Sequence, residues 1–426
     1  MKNRTPLAQN YLDRFETAVS TLPGHESRSV QALRRQGIDT FAALDFPHKR
    51  IEEWRYTNLS ALTKATANED VPFSDLDAIQ TASLDTTYEM VFVNGRFSNE
   101  ESRLSGLPTG ITLGGIAASL GSGAAFSLSS EEDRALIALN TAFMEDGFSL
   151  HVDDGVQLDS ILKITFRNEG GTADGRHIRN VISLGQGSMI TLLEEHTGSG
   201  VYFSNPVTNI SLSDGAMLNH YKLQNESHNA FHLSLTDCEN AKNSVYQNFT
   251  FSLGGKISRN EIKTSILGEN SESHLNGAYL MRGKQHCDTT TLTEHKVSKN
   301  ISSQVYKGVL DDDAHGVFQG KIHIFPDAQQ VAGDQLSKAL LLSDSAGVDC
   351  KPELEIHADD VKCSHGATSG ELDEDALFYL QSRGISESSA RKLLIEAFLA
   401  DVLESISDTP VKEYFNSIAA NWLSEA

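Results

Sequence analysis

Between Met189 and Phe249 the sequence comes back on itself every 28 residues. Met189, Met217 and Val245 form one column, Thr191, Asn219 and Gln247 a second, and Leu193, Tyr221 and Phe249 a third. Each column sits in a run that alternates with period two, and runs such as Val181-Ile-Ser-Leu184 and Asn209-Ile-Ser-Leu212 precede them and end in Gly-rich or Ser-Asp-Gly turns. Period two with turn punctuation means strands. A strand repeat of this length cannot bury its apolar face until neighbouring copies stack on it, so the expected fold is mainly β, a parallel β-helix with like residues about 4.8 Å apart along its axis. The Thr191, Asn219, Gln247 column then becomes a polar ladder, and Glu194 and Lys222 come into register as an opposite-charge pair. One further step of 28 reaches Ser273, Leu275 and Gly277 and keeps the alternation loosely. A β-sandwich also spaces strands every 8 to 12 residues, but it predicts no such register.

The flanks read differently. Thr5 before Pro6 is a helix cap, and Leu7, Tyr11, Phe15, Val19 and Leu22 fall near one helical face. A second helix is expected over residues 27–44, interrupted at Gly37. The segment 47–57 crowds Trp54 and Tyr56 among charges and suits an elbow, with Trp54 packing on the next domain and Glu52, Glu53 and Arg55 pairing at its rim. Met90-Val-Phe-Val-Asn-Gly95 is a strand running into an Asn-Gly turn, and residues 131–143 suggest a short helix. After Gly370 the period changes to 3.6. Asp373 caps a helix that Gly384 ends, Ser386 starts a longer one with Ile395, Leu399, Val402, Leu403 and Ile406 in a stripe, and Thr409-Pro410 opens a third. The organisation is therefore a mostly helical mixed region (1–150), a β-helix core (151–370) and a helical tail (371–426). The tail reads first as a cap over the last coil, and more sharply as a groove for a partner.

A net charge of −23 disfavours nucleic acid and anionic membranes as partners. The tail alone carries 4 basic against 11 acidic residues and suits a protein partner. The four cysteines, Cys238, Cys287, Cys350 and Cys363, form no Cys-x-x-Cys pair, which argues against a zinc ribbon or a disulphide framework and for a reducing, cytoplasmic setting. The start has no apolar signal core, and the most apolar window is broken by Glu396 and Asp401. No Gly-x-x-x-x-Gly-Lys loop is present, so a nucleotide would belong to a partner.

Chemistry gathers in the stretch 355–370, where Cys363 and His365 share one face of a strand. They pair a soft with a borderline ligand for iron or zinc, or a thiol with a base; from these two residues alone, an inert buried cysteine is the leading reading of the thiol. Cys350 and His357 receive no role. Asp311, Asp312 and Asp313 beside His315 are the one place for hydrolase chemistry of the kind that β-helix carbohydrate enzymes perform, although three aspartates between strands also make a solvated turn.

Ala358-Asp-Asp-Val-Lys-Cys-Ser-His-Gly-Ala-Thr368, followed by Leu377-Phe-Tyr-Leu-Gln-Ser-Arg-Gly-Ile385, closely resembles the signature of the SufB/SufD family of iron-sulphur cluster assembly proteins. The elbow resembles that family's Trp-x-Tyr-Thr motif, and the Cys-Ser-His-Gly-Ala form with the moderate length resembles its SufD branch. The resemblance implies a right-handed parallel β-helix that is not itself a catalyst. It also implies pairing with a SufB-like subunit through the β-helix, a possible homodimer when alone, and a SufC-like ATPase on the C-terminal helices, where Leu377, Phe378, Tyr379, Arg383 and Leu399 are the contact candidates. No cofactor is expected to bind tightly. Cys363 and His365 would hold iron or a nascent cluster transiently at the subunit interface, since thiolate is the usual cluster ligand and a histidine can replace it.

Overall fold

The computed structural model describes residues 4–64, 83–121, 134–169 and 175–424. The first strands among them are β1 (Tyr88–Val93), β2 (Arg96–Arg103), β3 (Ile111–Gly115), β4 (Phe148–Val152), β5 (Leu162–Asn168) and β6 (Gly175–Leu184). The repetitive middle adds β7 (Met189–Gly198), β8 (Phe203–Leu212), β9 (Met217–Asn225), β10 (Phe231–Asn240), β11 (Val245–Ser252) and β12 (Ile257–Ile266). The last coils hold β13 (Glu272–Met281), β14 (His286–His295), β15 (Ile301–Leu310), β16 (His315–Ile324), β17 (Val331–Leu341), β18 (Gly347–Ile356) and β19 (Val361–Gly370).

Odd- and even-numbered strands separate into two sheets, ordered β19-β17-β15-β13-β11-β9-β7-β5-β1-β2 and β18-β16-β14-β12-β10-β8-β6-β4-β3. Each coil thus gives one strand to each sheet, and neighbours from β4 and β5 onward run parallel, for about seven coils. Two facing sheets are present, as in a sandwich, but the parallel pairing of strands one coil apart is that of a solenoid. The 28-residue columns are real neighbours: Met189 pairs with Met217 and Met217 with Val245. The polar ladder exists too, with Asn219 Nδ2 donating to Thr191 Oγ1 at 3.3 Å. The next step is shorter. Val245 pairs with Glu272, not Ser273, so the column runs through Glu272, His274 and Asn276, while Ser273 and Leu275 point inward. A slip of one residue exchanges the faces of a strand, which is why alternation survived the extrapolation and its sidedness did not.

The described part of the first 150 residues is mixed, and its strands belong to the solenoid. β1 already joins β5 in parallel, and β4 joins β6, so the solenoid starts well before residue 151. The hairpin β1–β2 turns on Asn94 and Gly95, both at positive φ (51° and 78°), the pair that a two-residue turn of this hand needs. Antiparallel β2 and β3 finish this end of both sheets.

Helices α1 (Pro6–Val19), α2 (Arg28–Leu44), α3 (Ser60–Lys64), α4 (Ile116–Gly121) and α5 (Ala135–Phe143) precede the coils or interrupt their start. Tyr11, Phe15, Phe41 and Leu139 pack with Phe203, Val207, Phe231 and Leu235, covering the outer face of the nine-stranded sheet. α2 runs through Gly37 without a break: a Cβ there would lie 2.8 Å from the carbonyl oxygen of Ala138, so the glycine admits α5 rather than ending α2. Of the helix expected over 131–143, residues 131–133 lie outside the described residues. The elbow docks as anticipated, with Trp54 buried under the Arg259 guanidinium, 4.1 Å from its ring centroid. At its rim Glu52 reaches Lys351 at 2.8 Å, and Arg55 lies over Tyr56.

The tail forms α6 (Glu374–Ser382), α7 (Glu387–Leu403) and α8 (Thr409–Ser424). α7 and α8 do not cap the last coil. They run back along the outer face of the ten-stranded sheet, where Ile395, Leu399, Phe415 and Trp422 meet Leu193, Tyr221, Phe249 and Val309. Lys307 Nζ fastens α7 through the Phe398 carbonyl and Asp401, both at 2.7 Å. No helix among the described residues is long and apolar enough to cross a membrane.

Candidate functional site

Inside the solenoid, side chains stack in columns, and two of these end at the residues singled out above. One runs Ile190, Leu218, Tyr246, Ser273, Ser302, Gly333, Cys363; the other Leu192, His220, Asn248, Leu275, Gln304, Gln335, His365. The second turns polar toward this end: Gln335 Nε2 donates to Gln304 Oε1 at 3.3 Å, and Gln304 in turn bonds Thr291 and Thr293 across the interior. Cys363 and His365 therefore point inward like the members beneath them, but β19 is the last strand of its sheet and no further coil among the described residues lies above them. The burial pattern shows it. β17 has buried residues at every second position, whereas β18 and β19 have none.

Opposite, on β18, Cys350 also points inward, its Sγ 3.6 Å from Ser337 Oγ. Burial pushes the Cys363 thiol above its ordinary value, with a partly offsetting hydrogen bond from the Gly333 backbone. Cys350 is raised for the same reason. Both thiols are half-buried and retain their protons near neutral pH; a bound cation would displace them. Cys238 and Cys287 are fully buried deeper in the interior, and burial drives Cys287 to about 12. These two are packing residues.

The other predicted residues separate by exposure. Phe378 and Tyr379 are 72% and 56% exposed, with Arg383 over the Tyr379 ring at 5.1 Å. Leu377 and Leu399 are buried and offer no side chain to that surface; Leu399 packs instead against the outer face of the ten-stranded sheet. Asp311, Asp312 and Asp313 make the turn between β15 and β16: Asp312 has φ 53°, and its carbonyl accepts from Ser343 and from Ser345 at 2.8 Å. His315 turns away to Asp349 at 2.8 Å and stacks on His286. The Asp311 and Asp312 carboxylates accept from the backbone N–H groups of Asp312 and Gly283, both at 2.9 Å, as residues of a solvated turn do.

Glu194 and Lys222 are in register but buried inside, not paired on a surface. Glu194 gives one oxygen to His196 at 2.5 Å and the other to His220 at 3.3 Å. Burial alone would raise this carboxyl, yet these two hydrogen bonds bring it well below the usual range. Glu226 and His232 make a second buried pair at 2.7 Å, with His232 edge-on to His196. Register columns hinted at this network only through Glu194 and Lys222: His196 and His232 keep the 28-residue spacing, but to Gln224 and Ser204, residues that make no charged pair with them, and Glu226 lies just beyond β9.

The model of the SUF system FeS cluster assembly SufBD core domain matches residues 166–398, and that of the SufBD N-terminal region matches residues 5–164. The chain belongs to the SufBD family. Similar proteins include an iron-sulfur cluster assembly SufBD family protein of Synechocystis, 31% identical over 89% of this chain and 88% of its own length. The iron-sulfur cluster assembly protein SufD of Escherichia coli is 28% identical over 97% and 96%. Protein ABCI7, chloroplastic, of Arabidopsis thaliana is 27% identical over 96% and 89%. Within the SufBD family this chain is most like SufD. Sequence reasoning did not see that Cys350 of β18 faces the same open interior as Cys363 and His365 of β19; counting back one strand across the coil would have found it.

Proposed function

We propose that this SufBD family member is a non-catalytic, SufD-like subunit of a cluster assembly scaffold. The observation that carries the reading is the open last coil: two parallel sheets end side by side in β18 and β19, with Cys363, His365 and Cys350 uncovered between them. An unpaired sheet edge presents its backbone N–H and C=O groups to another strand. A SufB-like subunit adding its own last coil there would bury the edges and bring its ligands to Cys363 and His365. Iron or a nascent cluster is the cargo of that junction, held by too few ligands from either side to be kept. A second copy of this chain can use the same edges when the SufB-like subunit is absent. The exposed Phe378, Tyr379 and Arg383 suit a SufC-like ATPase, which supplies the nucleotide chemistry that this chain lacks a loop for.

The test is co-expression with SufB- and SufC-like partners. Cys363→Ala and His365→Ala leave the three-subunit complex intact but lower cluster formation in it by about tenfold or more, as loss of a ligand does. Unchanged cluster formation in His365→Ala would refute the ligand assignment. Loss of the complex itself would instead make the two residues part of the docking surface alone.

A further inference from the structure

On the outer face of the same last coil, two imidazoles converge on one carboxylate. His323 of β16 and Glu355 of β18 are register partners on neighbouring strands. His357 follows Glu355 by two residues, so alternation puts it on the same face. Glu355 Oε1 lies 3.1 Å from His357 Nε2 and 3.7 Å from His323 Nε2, and one donor atom from each of the three falls within 4.8 Å of the others. The other carboxylate oxygen is taken by Lys321 Nζ at 2.5 Å, which turns Oε1 toward the histidines. His323 is held from behind by its stack on Phe325, with ring centroids 4.1 Å apart. The side chains are 20%, 42% and 50% exposed for His323, Glu355 and His357, so the donors are fixed on one side and open to solvent on the other. His323 and Glu355 also line a groove of about 760 Å³ between this face and the Trp54 elbow.

We infer that His323, Glu355 and His357 form a binding site for a divalent first-row transition ion. A metal with bonds of about 2.0–2.2 Å sets neighbouring donors about 3–3.5 Å apart. The two carboxylate–imidazole separations of 3.1 and 3.7 Å already lie near that range, and the two imidazole nitrogens, within 4.8 Å of each other, reach it by a turn of the exposed His357 side chain. Two imidazoles and one carboxylate suit Zn²⁺, Co²⁺ or Fe²⁺ and select against Mg²⁺ and Ca²⁺, which want oxygen alone. Three ligands on one side leave positions for water or for a transferring ligand. The position adds meaning. His357 is six residues before Cys363, which confines the ion to within about 20 Å of that thiol along an extended chain. The site does not depend on the scaffold reading, since it uses neither inward-facing cysteine nor His365.

Titration of the purified full chain with Co²⁺ tests it directly. One equivalent binds with the weak visible bands of nitrogen and oxygen ligation and is displaced by Zn²⁺. His357→Ala and Glu355→Gln weaken the binding by about tenfold or more, while the control His315→Ala leaves it unchanged. His357 is exposed, so its removal does not threaten the fold, and a circular dichroism spectrum checks this. Absence of stoichiometric Co²⁺ binding, affinity unaffected by His357→Ala, or an intense sulphur-to-metal band lost in Cys363→Ser would each overturn the assignment. Lost cluster formation with intact Co²⁺ binding would bear on the scaffold reading alone.

Discussion

His295 closes β14 inside the solenoid, fully buried, with Nε2 2.9 Å from Ser302 Oγ, two positions before Cys363 in the column that ends there. Burial holds its imidazole down from 6.5 to about 4. As pH falls, the unfolded chain takes up this proton near 6.5 and the native chain only near 4, so between those values the unfolded state binds more protons and stability drops. Each unit of separation is worth 1.36 kcal/mol, which sets a ceiling of about 3 kcal/mol and a loss of about 2 kcal/mol by pH 5. His295→Gln keeps a hydrogen-bonding group of similar size without the titration. Urea unfolding at pH 7.5, 6.5, 5.5 and 5.0 will show the variant less stable than the parent at pH 7.5, with the gap narrowing by about 2 kcal/mol at pH 5. His177, His232 and His286, also held low, are common to both proteins and cancel in the difference. A gap that stays constant with pH would show that His295 is not kept neutral by burial, and the column beneath the site would have to be wetter than its packing implies.

Three other outcomes follow from the same geometry. Gly308→Ala will lower stability by about 1–3 kcal/mol or prevent folding, because a Cβ there would fall 2.1 Å from Cζ of the buried Tyr279 one coil away; denaturant midpoints measure it. Phe378→Ala with Tyr379→Ala will leave the melting temperature of the free chain within a degree or two while abolishing pull-down of a SufC-like ATPase, since both rings are solvent-exposed. Leu399→Ala, at a side chain 1% exposed between α7 and the ten-stranded sheet, will cost about 2–5 kcal/mol of stability in the free chain, and a melting temperature unchanged by it would refute the packing of α7 on the sheet.

Period and turn chemistry made the solenoid legible. Columns such as Leu193, Tyr221, Phe249 repeat because each must cover the next, and that requirement writes a spacing into the chain. Where loops change length the spacing fails: the steps from Val245 to Glu272, then to Ile301 and Ala332, are not 28, and extrapolation put Ser273 on the wrong face. Helix α2 was misread at Gly37 because a glycine that breaks a helix and one that admits another look alike until the neighbour is known. The His323, Glu355, His357 cluster was invisible for a related reason. Its two strands lie 32 residues apart, and no single window contains both the imidazole and the carboxylate it meets.

Whether Cys363 is a site or core residue depends on what covers it, and this is decided far away in the chain. Side chains of the same column are buried at Tyr246, Ser273 and Ser302, where the next coil closes over each one. An amphipathic tail could have closed over Cys363 in the same way. Instead, the apolar outer positions Leu193, Tyr221, Phe249 and Phe251 draw α7 and α8 back along the ten-stranded sheet, where Phe415 packs with its ring 5.5 Å from that of Phe251. Burying those faces stabilises the tail by about 25 cal/mol for each Å² removed from water, and it holds the helices away from the end of the stack. The residues that leave Cys363 and His365 uncovered are thus hydrophobic ones more than 100 positions upstream of them. Replacing that outer stripe by polar residues would free the tail and, with it, change the accessibility of a thiol that none of them touches.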